Sequence, residues 1–256
     1  MITRLLIVNA ALLFIYMSLW FLAARVKRRL DVVDTAWGLG FVVAAWAVVA
    51  QQASSRSWLI AVVVSIWGVR LAAHIGRRSL KRGSEDPRYH ELSKGWQGNF
   101  WLMAYVRVFL LQGALIWVIS LPVVMAAGTR IDGLGWLSAA GSVIWIIGFG
   151  FEAVADRQLA EFISRKNRPK VLRTGLWRYS RHPNYFGELT QWWGIGLITS
   201  QTGYGWIGLL GPLTLSWLII FISGIPPIER RREKDAEYQA YQHRTSPLLP
   251  LPPRRS

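Results

Sequence analysis

Residues Thr174–Glu188 place ionisable, amide and phenol side chains between two hydrophobic stretches, in the order TGLWRYSRHPNYFGE. Arg178 and Arg181 stand close to His182 and Asn184 in this segment. Polar and ionisable groups are costly beside hydrocarbon and are rarely placed there without a partner. Guanidinium and amide donors suit an anion such as the phosphates of a nucleotide cofactor. The segment therefore predicts a membrane-embedded enzyme with a water-filled cavity open to one side.

A second group of chemically capable residues lies in the N-terminal half. Asp31 and Asp34 are three residues apart in DVVDTAWG, so they share one face of a helix. Asp is a preferred helix cap, and we favour that role for Asp31. For Asp34 we favour a functional role, in which a neutral carboxyl donates a hydrogen bond to a substrate carbonyl. Arg70 and His74 also share a face, and the alternative for Arg70 is snorkelling to the interface.

Further polar side chains interrupt the later hydrophobic stretches. Arg107 either snorkels or lines the same cavity as Gln112. Asp156 either binds an amide or a ribose hydroxyl, or pairs with a nearby arginine. Glu188 is four residues after Asn184, and we expect it to face protein or a cavity.

The tail alternates charges over residues 226–244 and predicts an amphipathic helix, with Tyr238 and Tyr241 on one face and Arg230 before them. This helix either lies on the membrane surface or covers the cofactor as a lid. The proline-rich segment Pro247–Pro253 is expected to be extended.

The composition separates two classes of basic protein. Apolar residues make up 52% of the chain, 15 residues are tryptophan, and only 17% are charged, yet the net charge is +16. A nucleic-acid binder spreads its basic residues over a polar sequence, whereas here they fall in blocks between apolar runs. We therefore predict the bilayer as a partner and exclude nucleic acid. The chain has no cysteine, and its four histidines lack metal-ligand spacing, so no metal site is predicted.

The apolar runs predict an all-α polytopic membrane protein of about seven transmembrane helices, forming a single domain. The first run has no cleavage site behind it, so we interpret it as a retained helix. The predicted spans are Leu5–Ala24, Val33–Ala50, Trp58–Ile75, Phe100–Ala126, Leu134–Val154, Tyr185–Thr199 and Tyr204–Gly224.

The basic residues predict the orientation. Of the 30 Lys and Arg residues, 25 lie in four blocks: Arg25–Asp31, Gly76–Gly95, Arg157–Arg181 and the tail from Glu229. The alternate loops hold only Arg4, Arg56 and Arg130. The positive-inside rule then places the N-terminus outside and the C-terminus in the cytoplasm, and we expect a bacterial inner membrane. The alternative interpretation of the basic blocks is topology and lipid contact alone.

The run GLWRYSRHPNYFGE, followed by EYQAYQHR and a proline, resembles the steroid 5α-reductase C-terminal domain family. Sterol C14-reductases, isoprenylcysteine carboxyl methyltransferase and phospholipid methyltransferases share this pattern. The resemblance covers Asp156–Pro250, and the N-terminal motifs DVVDTAWG, WGVRLAAH and EDPRY look like an uncharacterised bacterial branch of the family.

This resemblance implies a seven-helix protein that binds NADPH from the cytoplasmic side and reduces a polarised carbon–carbon double bond in a lipid. It implies that residues 131–256 bind the cofactor and residues 1–130 face the substrate. The implied catalytic residues are Asp34, Arg70, His74 and Glu188. The implied cofactor-binding residues are Asp156, Arg173, Arg178, Arg181, His182, Asn184, Tyr185, Arg230 and Tyr241.

The family polarises the substrate carbonyl with a carboxylate after the first helix and a tyrosine about thirty residues further on. Asp34 fits the first position, but the second falls on Trp67, so we expect His74 to supply the proton or the hydrogen bond. The second hypothesis is an S-adenosylmethionine-dependent lipid methyltransferase. The third is a non-catalytic lipid-binding or scaffold protein, which leaves the buried polar residues without a role.

Overall fold

The computed structural model describes residues 1–128 and 133–254. Within these ranges the chain is helical, and its β-structure is limited to an isolated parallel bridge between Ser180 and Ser246. The predicted all-α class is therefore confirmed. Arg130, which entered the orientation argument, and the predicted boundary after it lie outside the described residues.

The helices are α1 (Ile2–Lys27), α2 (Val32–Gln51), α3 (Ser55–Arg82), α4 (Pro87–Ser93), α5 (Phe100–Ile119), α6 (Leu121–Met125), α7 (Trp136–Ser164), α8 (Pro183–Thr199), α9 (Gly205–Arg230) and α10 (Ala236–Arg244). Among the described helices, six are long and apolar enough to cross a membrane: α1, α2, α3, α5, α7 and α9. The chain is therefore a polytopic integral membrane protein. Helix α8 occupies the predicted sixth span with 17 residues, and its crossing stays a prediction.

Two predicted boundaries differ from the structure, and one helix contains an irregular segment. Helix α5 ends at Ile119 rather than Ala126, because Pro122 lacks an N–H and instead occupies the first turn of the separate helix α6. Helix α7 continues past Val154 to Ser164, so Asp156 lies within a helix. Helix α5 also contains a π-helical segment, Tyr105–Leu110.

The sequence predicts one amphipathic helix for the tail, but the structure divides the tail between two helices. Its first part, Ile225–Arg230, completes α9, and α10 starts anew at Ala236. Asp235 Oδ1 accepts hydrogen bonds from the N–H groups of Glu237 (3.1 Å) and Tyr238 (3.4 Å). This carboxylate cap satisfies donors at a helix start, which favours a new helix at this point.

The described chain divides into two compact units. The first comprises Met1–Gly135 with Thr199–Leu210, and the second comprises Trp136–Ile198 with Gly211–Ser256.

In the first unit, α2 and α3 form a hairpin whose backbones touch. Ser54 and Ser57 form a capping box at the start of α3. A Cβ on Gly38 would lie 2.7 Å from the carbonyl oxygen of Gly68, and one on Gly68 would lie 2.5 Å from that of Gly38. Only glycine permits this approach, which holds the second turn of α2 beside α3.

In the second unit, α7 and α8 approach each other in the same way at two levels. A Cβ on Gly148 would lie 2.6 Å from the carbonyl oxygen of Gly187, and one on Gly141 would lie 2.5 Å from that of Gly194. The two contacts are about two turns apart on each helix. The glycines therefore bring the polar side chains on the facing surfaces of α7 and α8 within hydrogen-bonding distance.

The orientation gives a first testable prediction. Reporter fusions after Arg130 and after Ser256 are expected to give opposite signals, because 25 of the 30 basic residues then lie on the cytoplasmic side. A periplasmic-active and a cytoplasmic-active reporter are read in parallel at both points. Equal signals at the two points would contradict the seven-span topology.

Candidate functional site

A carboxylate, a phenol and a guanidinium meet in the first unit at the start of α2. The Tyr89 hydroxyl on α4 donates to Asp34 Oδ1 at 2.7 Å, and Arg88 Nη2 lies 2.6 Å from Asp34 Oδ2. Tyr89 is buried. Both carboxyl oxygens of Asp34 accept hydrogen bonds, so Asp34 acts here as the acceptor and Tyr89 as the donor. The donor role expected of Asp34 thus belongs to Tyr89 in this arrangement.

The phenol of Tyr89 is held in its neutral form. Burial and the adjacent charge of Asp34 raise the pKa of Tyr89 well above 10. These two effects outweigh the charge of Arg88, which lowers the pKa. The side chain of Gln112 on α5 hydrogen-bonds to the same phenol. Asp34 and Gln112 therefore both contact Tyr89, which was not among the predicted site residues.

A layer of ion pairs supports this group. Asp86 caps α4 by accepting from the N–H of Arg88 at 3.0 Å, and its carboxylate lies 2.9 Å from Arg82. Burial alone would raise the pKa of Asp86, but the Arg88 hydrogen bonds and the two guanidinium charges lower it to about 2. Asp86 thus stays ionised and fixes the start of the helix that carries Tyr89.

Asp31 has a different role from the helix cap that the sequence favours. It occupies the N-cap position of α2, but its side chain makes no capping hydrogen bond. Its two oxygens instead accept from Arg29 Nε (3.0 Å) and Nη2 (2.8 Å), and from the N–H of Asp86 at 3.2 Å. The bidentate arginine occupies the oxygens that a cap would need.

Trp67 and the polar residues beyond it have separate places in the first unit. Trp67 packs edge-to-face on Phe41, with ring centroids 5.5 Å apart, and is a buried core residue. Arg70 and His74 lie half-buried further along α3. Tyr89 thus supplies the hydrogen-bond donor beside Asp34. From the sequence alone, His74 is the residue expected in that role. The EDPRY motif, with Asp86 as a cap, was the available signal for a short helix carrying Tyr89.

A polar seam runs between α7 and α8 in the second unit. Asn184 Nδ2 lies 3.3 Å from Asp156 Oδ1, so two predicted cofactor residues are brought together. Deeper in the seam, Gln191 Nε2 donates to Glu152 at 2.5 Å, and both residues are buried. Gln191 Oε1 is buried and accepts no hydrogen bond from the described residues. The seam therefore combines amide groups, which can donate and accept hydrogen bonds, with carboxylates, which accept them.

Arg181 is engaged within the protein. Its guanidinium lies 2.8 Å from Glu229 and donates to the carbonyl oxygens of Gln242 (3.1 Å) and Thr245 (2.6 Å). Its side chain is only 10% exposed. In this arrangement Arg181 fastens α10 and the following residues to the segment before α8. Glu229, its partner, was not among the predicted site residues.

His182 shares the same carboxylate. Its Nε2 lies 3.2 Å from Glu229 Oε1, and its ring stacks on Tyr185 with centroids 5.7 Å apart. His182 is buried, whereas Tyr185 and Glu188 are half-buried on α8. The predicted cluster of His182, Asn184 and Tyr185 is thus formed at the start of α8, with its histidine oriented by Glu229.

Tyr241 holds α10 against the same segment. Its hydroxyl donates to the carbonyl oxygens of Trp177, at short range, and of Ser180, at 3.3 Å. Burial, followed by the neighbouring Tyr238, raises the pKa of Tyr241. The Ser180 hydroxyl in turn donates to the carbonyl of Leu248 at 2.8 Å. The tail is therefore an anchored part of the second unit.

The other predicted cations lie on the surface. Arg173, Arg178 and Arg230 are exposed. Arg173 pairs with Glu237 at 3.2 Å, and the Arg178 guanidinium lies 5.9 Å from the ring centre of Tyr179. Arg178 and Arg230 are therefore accessible to an anion from solution.

The helices and these polar clusters define an integral membrane protein with buried ionisable side chains. A model of the family described as "Protein of unknown function (DUF1295)" matches residues 20–245, and the chain belongs to this family. It is similar to the uncharacterized protein C594.04c of Schizosaccharomyces pombe (strain 972 / ATCC 24843), with 24% identity over 263 residues, covering 89% of this chain and 72% of the relative. No solved structure matches the chain significantly. The relative is a yeast protein, and the bacterial inner membrane stays a prediction.

Proposed function

We propose that this protein is a membrane-embedded, NADPH-dependent reductase of a polarised carbon–carbon double bond in a lipid. The observation that carries the proposal is the hydrogen bond between Tyr89 and Asp34. The family resemblance implies a carboxylate and a tyrosine that polarise a carbonyl, and Tyr89 supplies the phenol that α3 lacks. The resemblance to the 5α-reductase family is part of this proposal.

The Tyr89 phenol is suited to bind the carbonyl oxygen of an enone. When hydride adds to the β-carbon, negative charge develops on that oxygen, and a preorganised donor stabilises it. Tyr89 stays protonated, and its O–H donates to Asp34 in the absence of substrate. To donate to the carbonyl oxygen, the O–H turns away from Asp34 Oδ1 while the ring stays in place. A proton then adds to the α-carbon from water or a nearby acid, which completes the reduction.

The second unit has a donor set that fits a nicotinamide dinucleotide. Asn184 can both donate to and accept from a carboxamide, and the Gln191 carbonyl oxygen is an available buried acceptor. Asp156 suits a ribose hydroxyl, and the exposed Arg178 and Arg230 suit phosphates. Bound NADPH would supply the hydride, while these residues would bind and orient it.

A ligand titration tests the proposal. In thermal-shift measurements on the purified full chain, NADPH is expected to stabilise the protein and to bind about tenfold or more tightly than NADH. The reason is that one additional charge-assisted contact to the extra phosphate contributes roughly 1.5–3 kcal/mol. Asn184→Ala is expected to weaken both cofactors, whereas Asn167→Ala, at an exposed asparagine outside the seam, leaves them unchanged. Stabilisation by S-adenosylmethionine alone would instead identify a methyltransferase.

A further inference from the structure

A pocket of about 250 Å³ lies in the first unit where α1 ends and α5 begins. Its lining residues are Phe21, Arg25, Asn99, Trp101, Leu102 and Tyr105. None of them belongs to the Asp34 group described above. The pocket combines one cation with three aromatic rings.

The place of the pocket relative to the bilayer follows from the two spans. The hydrophobic part of α1 ends at Ala24, directly before Arg25, and α5 begins at Phe100. Both positions are therefore at one membrane surface, where the hydrocarbon meets the lipid headgroups. Aromatic and basic side chains concentrate at this depth, and the basic block after Arg25 predicts that this surface is cytoplasmic.

The aromatic side chains form one continuous wall. Phe21 lies 6.2 Å from Trp101 and 4.7 Å from Tyr105, measured between ring centroids. The Tyr105 hydroxyl is hydrogen-bonded to Ser18 at 2.8 Å, which fixes the ring. The wall is mostly apolar, and it suits the glycerol and upper acyl region of a phospholipid.

The polar side chains at the mouth select an anion. The Arg25 guanidinium lies 5.8 Å from the ring centre of Trp101, and it has no carboxylate partner among residues 1–128 and 133–254. Asn99 uses its carbonyl oxygen to cap Leu102 at 3.1 Å, so its amide nitrogen is the group that can donate to a ligand. An exposed guanidinium and an amide donor above an apolar wall complement a phosphate with attached hydrocarbon.

We infer that this pocket binds the headgroup of an anionic phospholipid, with Arg25 and Asn99 on the phosphate and the rings against the glycerol and acyl chains. The neighbouring Lys27 and Arg28 are exposed and add to the positive potential at this surface. A zwitterionic lipid carries its own cation and gains less from this potential. The inference is independent of the proposed reductase activity.

Native mass spectrometry of the detergent-purified full chain tests the inference. The protein is titrated with phosphatidylglycerol or phosphatidylcholine of matched acyl chains. The wild-type chain is expected to bind one phosphatidylglycerol in preference to phosphatidylcholine, and Arg25→Gln is expected to lower that preference about tenfold, as the loss of one charge-assisted contact. Arg25→Lys keeps the charge and should retain most of the preference.

Lys27→Gln is the matched control, because it removes one positive charge from the same turn of α1 at a residue that does not line the pocket. It is expected to leave the preference nearly unchanged. Equal losses in Arg25→Gln and Lys27→Gln would show general surface attraction and would overturn the site. Equal binding of the two lipids by the wild-type chain would overturn it as well. Neither result depends on NADPH binding.

Discussion

Replacing Tyr89 by phenylalanine is expected to lower kcat for lipid enone reduction by about 10²–10⁴-fold, the usual contribution of a positioned acid–base group. The substitution removes the hydroxyl that donates to Asp34 and leaves the ring in place. Because the group acts only on charge that develops during the reaction, kcat and kcat/KM should fall together. NADPH binding, measured by thermal shift on the same samples, should be unchanged.

Three comparison variants make this result specific. Asp34→Asn should also lower turnover, because it removes the carboxylate that orients Tyr89. Tyr16→Phe is the matched control, since the Tyr16 hydroxyl donates to the backbone carbonyl of Ala36 at 2.9 Å in the same unit. His74→Ala separates the two assignments, because the sequence-based one places the loss there. A full loss in His74→Ala with normal turnover in Tyr89→Phe would refute the assignment of Tyr89.

Gly148→Ala is expected to destabilise the second unit by about 1–3 kcal/mol, the usual range for overpacking. The new Cβ would lie 2.6 Å from the carbonyl oxygen of Gly187 and 2.7 Å from the backbone nitrogen of Gln191, so α7 and α8 must move apart. The separation should also weaken the Asp156–Asn184 pair and hence NADPH binding. Thermal unfolding followed by circular dichroism measures the first effect, and the NADPH-induced shift measures the second.

Gly150→Ala gives a control on the same helix. A Cβ at Gly150 would meet nothing within 4 Å. Alanine is favoured over glycine inside a helix by roughly 0.5–1 kcal/mol, so this variant should be as stable as wild type or more so. The two alanine substitutions are thus expected to change stability in opposite directions. Equal effects would show that the close helix contact does not contribute to stability.

The seam between α7 and α8 shows how far the sequence reaches. The sequence placed Asp156 and Asn184 near one cofactor, and the structure puts them 3.3 Å apart. The sequence does not indicate that Glu152 and Gln191 pair beside them. The faces of two helices that meet depend on where their glycines allow contact. Side-chain type alone does not encode that register.

Arg181 shows a second limit. Its position in a basic segment favoured an anion ligand, but the structure gives it Glu229 and two backbone carbonyls as partners. A guanidinium binds a carboxylate or carbonyls of its own chain as readily as a phosphate. Whether Arg181 binds its own chain or a phosphate depends on where the tail folds after α9.

The sequence by itself determined that the protein is helical and spans a membrane, because apolar run length is a local property that the bilayer thickness fixes. It also singled out Asp34, whose polarity conflicts with its hydrophobic surroundings. Only the tertiary structure decided that the partner of Asp34 is Tyr89, 55 residues away on a short helix. That choice follows from the approach of α4 to α2 and α5, and such long-range packing leaves no periodic signal in the chain.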